Sequence, residues 1–524
     1  MTAFDPDEAP EKLPRGGMRA MRQPNWRARM LSALAICVAA IILSWPSLIN
    51  GGPFFIADTS AYIRGADAAI SSQLGYRSAW SDKRDLYLRN DAAGADAEQA
   101  KSPRHEGAAH PPLLGRSVYY GAFLYVPVLL TTEQMGVFAQ CALAALTIWL
   151  ALLPWRRGPP GRWAAAYVLV CAILALLTAL PFTASLLVPD FLTGIACVSL
   201  ISMLCFWDRY SRVEIGLLSA LLCFAAIAHS SNLPLILALS ISGLLMRLAG
   251  CRLSFRAAMF GVSAVLLGLA ADAVFIAAVK SQTGMAPIRP PFLTARLIAD
   301  GPGYEFLRAH CGERRFEVCR YVARTPGDSD QFLWSNGQDG VFSTGGFETQ
   351  RRLAEQDVAF AWSTVTTYPT EVLFSTIKAT GRQLGLLNYD IWHGKEGGEP
   401  YYSLDNLPPA VAARMERTLS VHGRMPVEPF QTLDKVFAGL SLVVAIICLA
   451  LLSRSRNAHL RAISAAILLA LVAILANAAI SGGLSKPDAR YHLKIVWILP
   501  LFVLMVFVAA GRFGRRDVEA GDPA

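Results

Sequence analysis

The chain has 524 residues, of which 54% are apolar and only 17% charged, with a formal net charge of +9. A soluble domain carries roughly a quarter charged residues, so this balance excludes an ordinary soluble protein. The Lys and Arg lie beside the ends of apolar blocks or are mixed with acids in long loops. With no continuous basic stripe, the charge argues against nucleic acid as a partner.

Residues 1–30 form a polar N-terminal tail, with Lys12, Arg15, Arg19, Arg22, Arg27 and Arg29 ahead of the first apolar block, about Leu31 to Leu48. That block ends in Trp45-Pro46-Ser47-Leu48-Ile49-Asn50 without a clear small-residue cleavage site, so it is expected to stay as an anchor. Further blocks long enough for a hydrocarbon layer of ~30 Å cover about 136–154, 163–180, 189–207, 214–230, 232–248, 257–279, 436–453, 462–480 and 493–510. An eleventh, Val118 to Leu130, is too short to span comfortably. With ten spans, Arg156, Arg157, Arg162, Arg209, Arg212, Arg247, Arg252, Arg256, Arg454, Arg456, Arg461 and Arg515 share the side of the basic N-terminus. This is the asymmetry that the positive-inside rule requires. Counting 118–130 as a span would spoil it, so that segment is expected as an interfacial or re-entrant helix. Both termini are expected in the cytoplasm, and the protein in the inner (cytoplasmic) membrane.

Two long stretches then face outward, about 50–117 and about 281–435. The expected fold is an all-α polytopic membrane protein of about ten transmembrane helices. Spans 1–7 lie within 31–280, with an extended first outer loop at 50–117. An inserted, mainly helical outer domain covers 281–435, spans 8–10 lie within 436–510, and 511–524 is a cytoplasmic tail. Arg351 to Thr366 and Thr370 to Leu387 are the best helix candidates of the outer domain, with Pro369 at a plausible start. Neither strand-period alternation nor a 20–50-residue repeat is evident.

Ten cysteines are present, and most lie in or beside apolar blocks, where a free thiol is usually inert packing. Cys311 and Cys319 instead sit in the outer domain, eight residues apart. In an oxidising compartment such a pair forms a local disulfide. A zinc site is the other reading, although two further ligands are not obvious nearby.

Ionisable residues within membrane helices cost ~2.5–3.5 kcal/mol at the centre, so their placement is informative. Here they gather at outer ends. Asp58 follows the first span, Asp190 opens the fourth, His229 closes the fifth and Asp272 sits two turns below the outer end of the seventh. Lys486, Asp488, Arg490, Tyr491 and His492 fill the short turn before the last span, with Lys494 at its edge. Short outward loops should be poor in Lys and Arg. The positive charge of this one reads either as headgroup contact by snorkelling side chains or as a site for an anionic group such as phosphate. Each other residue also has a plain reading: Asp190 and Asp58 as helix caps, His229 as a polar helix end, Asp272 as a partner of a neighbouring helix.

Three short patterns carry a resemblance. Asp58-Thr59-Ser60-Ala61-Tyr62 resembles the Asp-Ser-x-x-Tyr of the first outer loop in GT-C-type membrane glycosyltransferases. Val188-Pro189-Asp190 is similar to the Pro-Asp that opens a later span there, and Arg490-Tyr491 to the Arg-Tyr before the closing span. The resemblance implies a multi-spanning helical fold with a site at the outer surface. The implied activity is transfer of a sugar from a polyprenyl-phosphate donor, as in protein O-mannosyltransferases and lipid A aminoarabinose transferases. The chain departs from that class in placing its outer domain before the last three spans, and in lacking the Asp-Glu pair of the mannosyltransferases.

In that chemistry Asp58 would be the general base for an acceptor hydroxyl. Arg490, with Lys486 or His492, would meet the departing phosphate. Asp190 and His229 would orient sugar hydroxyls or hold a divalent cation, for which oxygen-rich ligands suit Mg²⁺ or Mn²⁺. Tyr62, Arg64 and Tyr491 complete the substrate-binding set, while Pro111, Pro112, Arg116 and the helix 118–130 would line the cavity mouth. A transporter is the main reading from another class, but it should show broken helices, mid-membrane polar groups and an internal repeat. A non-catalytic membrane assembly protein is the third. Gly-x-Ser-x-Gly and the phosphate-cradling Gly-x-x-x-x-Gly-Lys-Ser/Thr are both missing from the sequence.

Overall fold

The computed structural model describes residues 26–83, 114–130, 132–156, 158–312, 316–325, 327–335, 337–394 and 402–510. Pro111, Pro112, Arg157, Arg515 and the basic residues Lys12, Arg15, Arg19 and Arg22 lie outside the described residues. The described chain is helical throughout. Its extended pairing is a single parallel bridge between Phe54 and Leu186.

The principal helices, in chain order, are α1 (Trp26–Leu43), α2 (Ala57–Leu74), α3 (Val118–Leu130), α4 (Glu133–Trp155), α5 (Pro160–Leu177) and α6 (Pro189–Arg209). There follow α7 (Arg212–Ala228), α8 (Asn232–Leu248), α9 (Phe255–Thr283), α10 (Phe347–Thr367), α11 (Pro369–Leu384), α12 (Glu428–Leu452), α13 (Ala458–Leu484) and α14 (Ala489–Ala509). Eight of these, α1, α4, α5, α6, α9, α12, α13 and α14, are long and apolar enough to cross a membrane. The protein is therefore a polytopic α-helical membrane protein. The blocks expected at 214–230 and 232–248 are α7 and α8, helices of 17 residues each.

α6 is the centre of the bundle, with every residue from Leu192 to Phe206 buried. It packs against α4, α7, α8, α9, α13 and α14. Lipid supplies no hydrophobic force between helices, so close packing depends on small residues. Gly194 is such a position: a Cβ there would come within 2.6 Å of the Trp497 ring. α2 and α3 pack on one another, and α3 packs on α4. The 13 residues of α3, with Pro127 inside, make it shorter than the eight helices long enough to cross a membrane.

The two ends of the bundle differ in chemistry. At one end Arg209 stacks 4.3 Å from the Trp155 ring and contacts His459, while the Ser254 N–H donates to Leu204 O at 2.9 Å. The basic ends of α4 and α6 thus meet the starts of α9 and α13 on one face. Asp58, Asp190, His229 and Arg490 gather at the opposite one.

Within 281–435 two kinds of packing occur. Residues 288–368 surround a core of their own, built on Ile298, Phe306, Phe332, Phe342, Leu353 and Phe360. Cys311 and Cys319 are disulfide-bonded at its edge, their Cα atoms 5.6 Å apart. The two expected helices appear as α10 and α11, the latter ending at Leu384 before Gly385. Farther on, Tyr389, Trp392, Met415 and Met425 join the core of the bundle itself. The Trp392 indole donates to Phe182 O at 2.9 Å, and the Tyr389 hydroxyl bonds Asp434 at 3.1 Å. Arg414 forms a two-pronged bond to Glu133 at the start of α4, with N–O distances of 2.7–3.0 Å, and Glu133 is 2% exposed.

Candidate functional site

Three separate parts of the chain meet at the acidic-and-basic end of the bundle. The first is the start of α2. The Phe54 bridge to Leu186 and the buried Phe54, Phe55 and Ile56 fix the approach. Thr59 Oγ1 accepts the Ile56 N–H at 3.2 Å and closes the first turn. Asp58 is therefore inside that turn rather than capping it, contrary to the cap reading, and its carboxylate is free to face the cavity.

The second part is the start of α14. Asp488 is its cap, its Oδ1 accepting the Arg490 N–H at 2.8 Å. Arg490, Tyr491 and His492, expected in a turn, are helical residues of the first turn of α14. Asn477 of α13 donates to Tyr491 O at 2.7 Å, tying the two helices together. The third part is the turn Pro189–Phe191 that opens α6 and carries Asp190. No side-chain cap bond from Asp190 occurs among the described residues; its carboxylate turns sideways into a cluster of cations.

Arg490 is the hub. Its Nη1 lies 3.9 Å from Asp58 Oδ2 and 4.0 Å from Asp190 Oδ2, and the guanidinium is held over the Tyr491 ring at 4.9 Å. Lys494, one helical turn on, reaches Asp190 Oδ1 at 3.3 Å. His229 Nε2 is 3.9 Å from the same oxygen. Arg116 pairs with Asp58 from the segment before α3. Lys494 and Asp190 are 3% and 5% exposed, so this is a charge pair removed from water and stable only because it is compensated. Asp58 and Asp190 thus face Arg490, Arg116 and Lys494, while Asp390 and Asp488 add two further carboxylates nearby.

Above the cluster opens a cavity of about 470 Å³ lined by Ile56, Ala57, Asp58, Leu386, Asn388, Asp390, Ile391, Pro487, Asp488, Ala489 and Arg490. Its outer wall, 386–391, hangs from Tyr389 and Trp392, whose rings are sunk in the bundle beside Phe182. The lining thus carries Asp390, Asp488 and Asn388 beside Asp58 and Arg490.

The structure brings Asp58, Asp190, His229, Arg490 and Tyr491 together. Tyr62 is buried one turn from Asp58, edge-on to Tyr120 at 5.1 Å. Burial, reinforced by Asp58, holds its hydroxyl well above the usual tyrosine range, so it stays protonated. Arg64 reaches back to Ser60 at 3.5 Å along α2. Lys486 is not in the cluster: it precedes the cap and pairs with Asp330 at 2.8 Å and Asp328 at 3.3 Å in the outer domain. His492 points to the opposite side of α14 from Arg490 and Lys494. It is buried, and its Nδ1 has no hydrogen-bond partner among the described residues. Asp272 pairs with Arg289 at 4.0 Å, elsewhere in the molecule. Lys494 takes the place expected of Lys486, a position that the i, i+4 spacing from Arg490 marks once the helix start is known. The wall 386–391 had no signal in the sequence.

Among the described residues, no group of three or more His, Cys, Asp or Glu side chains is placed to hold a metal ion. Asp190 and His229, the residues considered for Mg²⁺ or Mn²⁺, lie 3.9 Å apart, and Asp190 faces Arg490 and Lys494. Comparison of the chain with protein-family models, with curated proteins and with solved structures found no match.

Proposed function

We propose that the protein is a membrane glycosyltransferase that moves a sugar from a polyprenyl-phosphate donor to an acceptor at the outer face of the inner membrane. The observation that carries this reading is Arg490, held between Asp58 and Asp190 in the lining of a cavity that also carries Asp390, Asp488 and Asn388. Arg490, with Arg116 beside Asp58, suits a lipid-linked phosphate. Asp390, Asp488 and Asn388 suit the hydroxyls of a sugar or acceptor.

In the reaction the acceptor hydroxyl gives its proton to Asp58 and its oxygen bonds to the anomeric carbon. The bond from that carbon to the phosphate oxygen breaks, and the electron pair leaves with polyprenyl phosphate. Arg490, Arg116 and Lys494 stand where that negative charge develops. Asp190 is a positioning residue that holds Arg490 and Lys494.

The same reading takes α7 and α8 as spans, giving ten in all, with both termini cytoplasmic. An impermeant thiol reagent applied from outside should then reach cysteines engineered in 320–330 and leave those in 158–162 untouched; the reverse pattern would overturn the orientation.

The deciding experiment compares wild type, Asp58→Asn and Arg490→Lys. Asp58→Asn should remain inserted and bind polyprenyl phosphate while losing about 10²–10⁴ in turnover. Arg490→Lys should lose ligand binding despite keeping its charge, because Lys cannot offer two parallel hydrogen bonds. Equal polyprenyl-phosphate binding in all three proteins, with turnover unchanged, would sink the proposal.

A further inference from the structure

The consecutive helices α10 and α11, separated by Tyr368, belong by sequence to the stretch 281–435, yet their surface is unlike that of a soluble domain. Along α10 the exposed face changes character. Its first half carries Glu348, Arg351 and Glu355, joined by ion pairs at 2.8 and 2.9 Å. Continuing on the same face at helical spacing come Val358, Trp362 and Val365. The next helix resumes the pattern with Leu373, Phe374 and Ile377. Five of these six large apolar side chains are 60–72% exposed, Val365 being 37% exposed. Large apolar side chains exposed in such number on two consecutive helices mark an interaction surface.

α11 presents three faces. One packs on α13, a membrane-spanning helix, with backbones in close approach: a Cβ on Gly482 would meet Ala379 O at 2.9 Å, and one on Gly483 would meet the Thr376 side chain at 2.9 Å. Small residues at such a contact are the mode of helix packing used within membranes. A second face carries Glu371, Lys378 and Arg382, all exposed. The third is the apolar stripe. It adjoins α13, whose own Leu475 and Leu484 are exposed as residues of a spanning helix. The contact at Gly482 and Gly483, next to the last residue of α13, places α11 at the end of the span.

We propose that α11 and the adjoining second half of α10 lie in the membrane interface, on the leaflet adjoining Arg490, and that lipid acyl chains cover their apolar side chains. The surface of α13 continues into these, which names the occupant: the same lipid that covers the span. The charged first half of α10 and the polar face of α11, with Glu371, Lys378 and Arg382, stay in water, as the polar face does in interfacial amphipathic helices. This inference does not depend on the proposed enzymatic activity.

Photo-crosslinking in native membranes tests it with the full chain. Benzoylphenylalanine replaces Trp362, Phe374 or, as a control on the polar face, Lys378. The substitutions at Trp362 and Phe374 exchange one aromatic ring for another and preserve folding. After irradiation, phospholipid adducts located by mass spectrometry should form at positions 362 and 374, at least tenfold above position 378. Crosslinks from 362 and 374 to another segment of this chain or to a second copy would overturn the proposal. So would lipid adducts no more frequent than at position 378.

Discussion

Gln383 grips the backbone of Asp488 from both sides: its amide nitrogen donates to Asp488 O at 2.8 Å, and its amide oxygen accepts the Asp488 N–H at 2.9 Å. A residue of α11 thereby fixes the turn whose next residues place Arg490. Gln383→Leu fills the same space but leaves two polar backbone groups without partners, at about 1–3 kcal/mol each where water cannot replace the bond. The expected result is a lower unfolding midpoint and weaker polyprenyl-phosphate binding. A variant with wild-type values of both would show that the grip does not position Arg490.

Asp190 compensates two buried cations at once. Asp190→Asn keeps the shape but strands Lys494 and half of the Arg490 charge, a loss of about 3–5 kcal/mol for a broken buried pair. Adding Lys494→Met to that variant should recover part of the loss, because the stranded charge goes with it. Unfolding of the two single variants and the double variant in mixed micelles measures this. A double variant whose loss equals the sum of the two singles would mean the residues are not coupled.

The Lys486 bridge to the outer domain has a defined pH range. Against the desolvation of partial burial, Asp330 and Asp328 hold the Lys486 ammonium above the usual lysine range. Burial also opposes ionisation of Asp328, but the Asp330 N–H and Lys486 win and hold its carboxyl below the usual range. A depressed carboxyl contributes stability that is present above its ordinary pKa and lost as pH falls through the folded value. A raised ammonium contributes stability that is present below its ordinary pKa and lost as pH rises through the folded value. The bridge is thus intact from roughly pH 4 to 10 and fails outside that window. Proteolysis around Asp328 and Asp330 should be modestly faster below pH 4 than at pH 7 in wild type, and modestly faster at pH 7 in Lys486→Ala than in wild type. Partial exposure of both partners keeps the effect small.

The disulfide of Cys311 and Cys319 spans a short loop and should contribute roughly 2–3 kcal/mol to the local stability of the outer domain. Reduction and alkylation should add two labels that map to these residues, with the spanning helices unaffected. Two free thiols in protein isolated from an oxidising compartment would exclude the bond.

The helices were legible because their cause is local. A segment that crosses hydrocarbon must be apolar along its own length, and each of the ten apolar blocks is a helix here. Asp58, Asp190 and Arg490 were legible as charged residues placed where charge is costly. Their mutual contact rested on the order and sidedness of three short patterns. Lys486 was assigned to the cluster because it shares a turn with Arg490. The cap at Asp488 decides otherwise: residues after it wind into α14, so Lys494 returns to the Arg490 side, while Lys486 before it extends to the outer domain. The far wall of the cavity was not legible at all. It is placed by Tyr389 and Trp392 burying against Phe182, more than two hundred residues away in sequence, and a contact of that kind leaves no periodicity.

The bond between Glu133 and Arg414 bears on how the molecule is made. Glu133 leaves the ribosome 281 residues before its partner. During that interval α4 presents a carboxylate at the mouth of a forming bundle with no guanidinium to meet it, and burying it unpaired would cost several kcal/mol. That end of α4 therefore closes as a paired contact only once the segment carrying Arg414 has been made and has packed against it. Of the principal helices only α12, α13 and α14 follow Arg414, so closure at Glu133 belongs to a late stage of assembly. A chain truncated between α9 and Arg414 would stay open at that end, exposed to quality-control proteases.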